Sequence, residues 1–375
     1  MRIAVDGLSA KSLYHGMGIY TFNLLKELAP IAHEHNILIY NNSNIFFNIS
    51  KENNNVEIRN ITKHRYFRIA WEYTSLPISL KREKVDIFWG PSNFLPPIKP
   101  CKFIVTIHDV SSFTYAESYP LARRYYYQWL ILNAIRKADL LITVSESTKS
   151  DLIKLFHVPV HKIRVIYNGV NENLRPIRIQ TELDKIKQKY NLPDEYIFSL
   201  GVLEPKKNIE RLILAYIELK KSHIDLPKLV VGGSRKYGWK NSRVFQLIKT
   251  HKLEQEVLFT DFIPYDDLPA VYSLARAFIF PSIYEGFGLP AVEAMACGTP
   301  VITSNVSSLP EIAGGAAILV NPFNVDEIAN AILDVLKNDS KRTEMIDKGF
   351  ENVKRFDWEK SANEILEITE DLYKK

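Results

Sequence analysis

Two carboxylates, two ammonium groups and one imidazole stand where ligand chemistry is expected. Glu285 and Glu293 are separated by seven residues inside the stretch Phe-Ile-Phe-Pro-Ser-Ile-Tyr-Glu-Gly-Phe-Gly-Leu-Pro-Ala-Val-Glu-Ala-Met-Ala-Cys-Gly-Thr-Pro-Val-Ile, residues 278–302. Lys206 and Lys207 lie in Leu-Glu-Pro-Lys-Lys-Asn, residues 203–208, and His108 follows an apolar run, residues 103–107. A glycine-rich stretch, His15-Gly16-Met17-Gly18, precedes a helical pattern. Carboxylates accept hydrogen bonds from hydroxyls, lysines neutralise phosphate, and glycines let backbone N–H groups approach an anion. Together these types suit a ligand that is both hydroxylated and doubly phosphorylated.

The elements around them explain how they would be positioned. Residues 277–280 read as a buried strand that Pro281 stops. Residues 284–289 are a tight turn with two glycines, and Pro290 sits where a missing N–H is harmless in a first helical turn. Residues 291–297 read as helix, Gly298 as its C-cap, and residues 301–303 as the next strand. This unit places Glu285, Gly286, Phe287 and Gly288 at the carboxyl end of a parallel strand, where open α/β sheets bind ligands. The N–H groups that follow, Leu289 among them, face an anion, and Glu293 lies one turn into the helix.

The same logic recurs twice. A strand at 196–200 leads through the lysine loop into a helix at 209–219, which suits phosphate. A strand at 2–5 leads through a loop at 7–18 into a helix at 19–28, ending before Pro30. That first loop offers Gly16 and Gly18 to a phosphate. It lacks the third glycine of the dinucleotide fingerprint, and no acidic residue stands about 20 residues on for a ribose, which argues against a dehydrogenase. Each feature also has an ordinary structural reading: a glycine turn, a solvated lysine pair, a packed histidine.

At 375 residues the chain suits two domains, and 46% apolar with 24% charged residues is ordinary for a globular protein. No run of 18 apolar residues marks a membrane span, and the first residues read as a strand rather than a signal peptide. Two distant cysteines, Cys101 and Cys297, suggest free thiols in a cytoplasmic setting. The net charge of +5 is uneven: residues 1–170 carry 21 Lys/Arg against 13 Asp/Glu, and the remainder 27 against 30. The basic first half suits an anionic partner such as a lipid diphosphate or the inner membrane face, and the stretch with Arg65, Tyr66, Phe67, Arg68, Trp71 and Tyr73 reads either as a basic aromatic face for lipid headgroups or as a helix packing on the sheet. Nucleic acid is not expected. No Asp-x-Asp and no His/Cys set with zinc spacing occurs, so no metal and no cofactor is expected.

Further strands are expected at 36–40, 56–58, 85–89, 103–107, 140–144 and 163–166, with 41–55 a surface loop. Strands at 229–231, 257–259 and 318–320, and helices at 325–336 and 359–373, complete the second half. The domains expected are 1–170, with a closing helix from 358–375, and 171–357.

The stretch 278–302 closely resembles the signature of the family-4 retaining glycosyltransferases, E-G-F-G-L-P-x-x-E-A-M-A-C-G-T-P-V, with Glu285 and Glu293 in the two glutamate positions. The lysine loop resembles that family's G-x-L-E-P-x-K-N phosphate loop, with Lys207 as its lysine. Many members have Arg where this chain has Val202, a departure that Lys206 would offset. The resemblance covers nearly the whole chain and implies the GT-B fold: two Rossmann-like domains facing a cleft, the first binding acceptor and the second nucleotide sugar, with the last helix crossing back to the first. It implies that Glu293 binds the ribose, that Glu285 with the Phe287 and Gly288 N–H groups holds the donor hexose, that His108 touches that sugar, and that Lys206 and Lys207 neutralise the leaving diphosphate. The motif style is closest to bacterial mannosyltransferases of O-antigen and capsule assembly. It implies GDP-mannose as donor, a UDP-sugar as the alternative, and a lipid-linked glycan as acceptor. A GT-B epimerase or phosphorylase, against which the central motif argues, and a non-catalytic sugar-binding homologue are the rival classes beside the dehydrogenase.

Overall fold

The computed structural model describes residues 1–10, 16–61, 70–222, 225–233 and 243–375. His15 and the basic aromatic residues Arg65, Tyr66, Phe67 and Arg68 lie outside the described residues. The chain divides into two compact units, Met1–Gly169 with Asp357–Lys375, and Val170–Phe356.

The first unit holds strands β1 (Arg2–Asp6), β2 (Asn36–Asn41), β3 (Val56–Asn60), β4 (Ile87–Gly90), β5 (Lys102–Ile107), β6 (Leu140–Thr143) and β7 (Ile163–Val165). They form one sheet in the order β3-β2-β1-β4-β5-β6-β7, and every pairing is parallel. Its central strands are apolar on both faces, as helices covering both sides require: Ile3, Ala4, Val5, Phe88, Trp89, Phe103, Ile104 and Val105 are all buried. The last helix, Trp358–Lys374, belongs to this unit and packs along Gly16–Ile31. Ser361 Oγ donates to Tyr167 O at 2.7 Å and Lys102 Nζ to Leu372 O at 2.9 Å, while His35 Nε2 lies 2.9 Å from Glu370 Oε1.

The second unit holds β8 (Tyr196–Leu200), β9 (Lys228–Gly232), β10 (Val257–Asp261), β11 (Ala277–Phe280), β12 (Val301–Ser304) and β13 (Ala317–Val320). Their order is β10-β9-β8-β11-β12-β13, again all parallel. Period-two alternation divides the strand residues between two cores. Ile197, Leu229, Val231, Ala277, Ile279 and Ile302 meet the helices Ile209–Lys221 and Val325–Lys337. Tyr196, Phe198, Val230, Phe278, Phe280 and Val301 meet Leu268–Leu274 and Leu289–Ala296. Each unit is therefore a three-layer, doubly wound Rossmann-like fold.

Several local expectations shift. Gly16 and Gly18 are not in a loop: the helix starts at Gly16, so both occupy its first turn, and it runs through Pro30 to Ile31. A proline in a last turn removes one hydrogen bond without ending the helix earlier. The asparagine-rich segment, read as a loop, contains a helix, Phe47–Glu52, because Phe46 and Ile49 bury one face of it. The helix after the glycine turn begins at Leu289, two residues early, with Pro290 inside its first turn. Among the described residues no helix is long and apolar enough to cross a membrane.

Candidate active site

In the second sheet β8 and β11 are neighbours whose crossovers run in opposite directions, β8 to β9 and β11 to β12. Loops leaving their carboxyl ends therefore diverge and open a crevice, the topological switch point. The segment after β8 carries Lys206 and Lys207, and the segment after β11 carries Glu285, Gly286, Phe287 and Gly288. Ile283 N donates to Lys206 O at 2.7 Å and ties the two loops together. Asn208, in the left-handed conformation with φ 59°, donates through Nδ2 to Pro281 O at 3.0 Å and to Pro322 O at 2.6 Å. Asparagine tolerates that conformation better than most residues.

Lys207 and Glu285 meet inside this crevice. Lys207 Nζ lies 2.6 Å from Glu285 Oε1, with side chains 16% and 12% exposed. The lysine stem crosses Gly201, where an added Cβ would stand 3.2 Å from it. The ammonium also lies 5.1 Å from the centre of the Phe280 ring, within cation–π range. Glu285 is fixed from its backbone: its N–H donates to Ser307 Oγ at 3.0 Å. Ser308 Oγ donates to Phe287 O at 2.7 Å and lies 3.0 Å from Glu285 O. Gly288, with φ 110°, turns the chain into Leu289–Ala296. A side chain there would be strained, and its Cβ would lie 2.8 Å from Leu309.

Glu293, one turn into that helix, is 4% exposed. Tyr272 donates its phenol to Glu293 Oε2 at 3.2 Å, and the Tyr265 phenol stands close enough to favour the charged carboxylate as well. Burial pushes the carboxyl up to about 7, and the two phenols pull in the opposite direction. Among the described residues no cation pairs with it. Groups of three or more His, Cys, Asp or Glu side chains able to hold a metal are also absent among the described residues.

In the first unit His108 follows β5, while Gly16 and Gly18 open the helix after the β1 turn, both at the carboxyl side of that sheet. His108 Nε2 lies 2.7 Å from Pro91 O. A carbonyl only accepts, so the ring proton sits on Nε2 and Nδ1 carries a lone pair. Burial lowers the imidazole's proton affinity, outweighing the Pro91 bond and the Asp109 charge. The ring is thus a neutral acceptor at neutral pH. Tyr20 meets it edge-on at 4.7 Å, and Tyr20 Oη is 3.0 Å from Thr106 Oγ1.

The structure thus gathers Lys206, Lys207, Glu285, Gly286, Phe287, Gly288, Leu289 and Glu293 on the two segments that leave the neighbouring strands β8 and β11, and sets Gly16, Gly18 and His108 on the other unit. The supporting residues Ser307, Ser308, Asn208, Tyr265 and Tyr272 escaped the sequence reading. For the serines a signal existed: Ser-Asn-Val-Ser-Ser, residues 304–308, follows directly on β12, beside the glutamate strand.

Two doubly wound sheets, one bearing this lysine–glutamate crevice, define the GT-B class of nucleotide-sugar enzymes. Residues 14–174 match the family model "Glycosyltransferase Family 4", and residues 180–352 match "Glycosyl transferases group 1". The O-antigen chain mannosyltransferase B of Escherichia coli is 31% identical over 371 residues, covering 94% of each chain. HepE of Anabaena, solved with UDP-glucose, superimposes with a TM-score of 0.78 at 19% identity over 99% of this chain and 100% of its own. Sucrose-phosphate synthase of Thermosynechococcus elongatus does so with a TM-score of 0.77 at 21% identity over 100% and 99%. The chain belongs to glycosyltransferase family 4. It is a hexose transferase.

Proposed function

We propose that this glycosyltransferase moves mannose from GDP-mannose to a hydroxyl of a growing lipid-linked glycan, with retention of configuration and without a metal. The observation that carries the mannose assignment is the similarity, along 94% of both chains, to an O-antigen mannosyltransferase. In this reading Lys206, Lys207, the Leu289 N–H and the helix start at Gly16 and Gly18 bind the diphosphate. Glu285, with the backbone at Gly286, Phe287 and Gly288, holds the hexose hydroxyls. Glu293 accepts from the ribose diol, and neutral His108 accepts from a sugar hydroxyl.

The step is a substitution on one face of the sugar. The bond from C1 to the leaving phosphate oxygen breaks as the acceptor oxygen bonds to C1, and the acceptor proton passes to that phosphate oxygen. The lysine charge stabilises the diphosphate as its negative charge grows. Each charge-assisted hydrogen bond to it contributes about 1.5–3 kcal/mol. Glu285 is already committed to Lys207, which suits a positioner better than a free nucleophile. Contact of the basic first unit with the inner membrane face belongs to the same reading.

A thermal-shift screen with GDP, UDP, ADP, TDP and NAD, with and without magnesium or chelator, tests this, because a ligand raises the melting temperature with its concentration over its dissociation constant. A shift with GDP that chelator leaves unchanged, followed by mannose transfer from GDP-mannose, is the expected result. A shift with UDP alone would discard the mannose donor. Binding without transfer to any glycan acceptor would favour a non-catalytic homologue.

A further inference from the structure

The helix Leu268–Leu274 and the turn before it lie outside the strand–turn–helix unit that carries Glu285 and Glu293, yet they supply both hydroxyls that face Glu293. Tyr272 donates at 3.2 Å from the helix, and the Tyr265 phenol, on the short turn Tyr265–Asp267, stands close enough to act on the same carboxylate. Burial and the adjacent carboxylate push both phenols far above their ordinary range, so each keeps its proton. Cys297, four residues on along Glu293's own helix, is the other titratable group at this carboxylate, and burial and the Glu293 charge keep its thiol protonated. The Asp266 charge raises the Tyr265 phenol further.

A buried carboxylate normally pairs with a cation or remains protonated. Here the Tyr272 phenol takes its place in the pairing, with the Tyr265 phenol close by. A carboxylate offers about four lone-pair positions, so two phenol donors leave room for a bidentate diol. We propose that Tyr265 and Tyr272 are positioning residues for nucleoside recognition: they aim the Glu293 carboxylate and make it ionisable, so that binding of a ribose diol is accompanied by release of the Glu293 proton. This inference rests on the reading of Glu293 as the ribose ligand.

The coupling follows from the direction of each interaction. Without ligand, burial holds the carboxyl up to about 7, so at neutral pH about half the molecules carry the proton. Two ribose hydroxyls donate to the charged form and favour it, as the phenols do. The proton then leaves to solvent. Removing either phenol takes away a group that favours the charged carboxylate, so the protonated form persists to higher pH.

Calorimetric titration of the full chain with GDP and UDP from pH 6 to 8.5, in buffers of different ionisation heat, reads both affinity and proton release. The terminal phosphate of the ligand titrates in this range too, so the quantity read is the difference between wild type and Glu293→Gln. Wild type is expected to release about half a proton more than the variant near pH 7, and to lose affinity up to about tenfold per pH unit on the acid side. Tyr272→Phe and Tyr265→Phe, which preserve ring packing, are expected to move that inflection to higher pH and to recover most of the affinity at pH 8.5. A uniform loss at every pH with an unmoved inflection would make the tyrosines packing residues and overturn the inference alone. A Glu293→Gln protein that binds GDP, UDP and their 2′,3′-dideoxy forms as wild type binds the parents would overturn the ribose assignment, and the inference with it.

Discussion

Lys207 Nζ and Glu285 Oε1 stand 2.6 Å apart in the crevice between the β8 and β11 loops, each the other's charge partner. The phosphate proposed for Lys207 must therefore compete with, or share the lysine with, a carboxylate of this chain. Glu285→Gln removes the competitor while keeping shape. A nucleoside diphosphate without sugar is expected to bind the variant at least as tightly as wild type, while transfer falls by about 10²–10³ as a positioned group is lost. Lys207→Ala is expected to weaken diphosphate binding by about 1.5–3 kcal/mol. Calorimetry beside steady-state turnover checks both; equal transfer by either variant and wild type would remove these residues from the site.

Ser308 holds two carbonyls of the Glu285 turn with one hydroxyl. Ser308→Ala leaves both buried acceptors without that partner, which costs about 1–3 kcal/mol. Because the turn itself loosens, kcat is expected to drop even at temperatures where the variant stays folded. Urea denaturation and kcat on the same preparation separate the two effects.

Glu293 gives a stability signature independent of ligand. Its folded-state carboxyl is raised from 4.5 to about 7. Between those values the folded state holds a proton that the unfolded chain has lost. The contribution is therefore greatest below pH 4.5, is lost as pH rises to about 7, and is flat above. At 1.4 kcal/mol per unit this amounts to about 3 kcal/mol. Glu293→Gln lacks the slope, so its stability relative to wild type is expected to rise by about that amount between pH 5 and pH 8. Denaturation midpoints at the two pH values measure it, and parallel behaviour of both proteins would contradict the burial account.

Trp358 begins the last helix and seats against Gly169 and Tyr20: a Cβ on Gly169 would lie 2.4 Å from its indole, and the two aromatic rings stand 6.1 Å apart. Trp358→Ala is expected to destabilise the first unit by about 3–5 kcal/mol. Gly169→Ala is expected to act in the same direction, since the added Cβ would also stand 2.4 Å from the Trp358 backbone nitrogen. Limited proteolysis should then cut first within residues 1–169 and spare 170–356.

Both sheets were legible because their strands are nearly continuous apolar runs, and the crevice was legible because proline and glycine punctuate the unit at 277–303 sharply. What lay hidden depended on contacts distant in sequence. The fold of 289–296 against 268–274 is what buries Glu293, and nothing in Ala-Val-Glu-Ala-Met announces two tyrosines over twenty residues upstream. The early start at Gly16 failed for a local reason: glycine reads as a breaker, while the packing of Tyr20 and Leu24 extends the helix back through its first turn. The Lys207–Glu285 pair lay in neither motif alone, since each was read for a ligand and not for the other.

The two crossings between units, at 169–170 and 356–357, also bear on how the chain is made. Synthesis runs from the N-terminal side, yet the first unit lacks its packing helix until Trp358–Lys374 has been added. A chain halted just before Trp358 contains every residue of the second unit and an unfinished first one. The portion translated first is thus the last to be completed, and until then the part of Gly16–Ile31 that the last helix covers stays bare, an interval in which a chaperone would find an apolar surface.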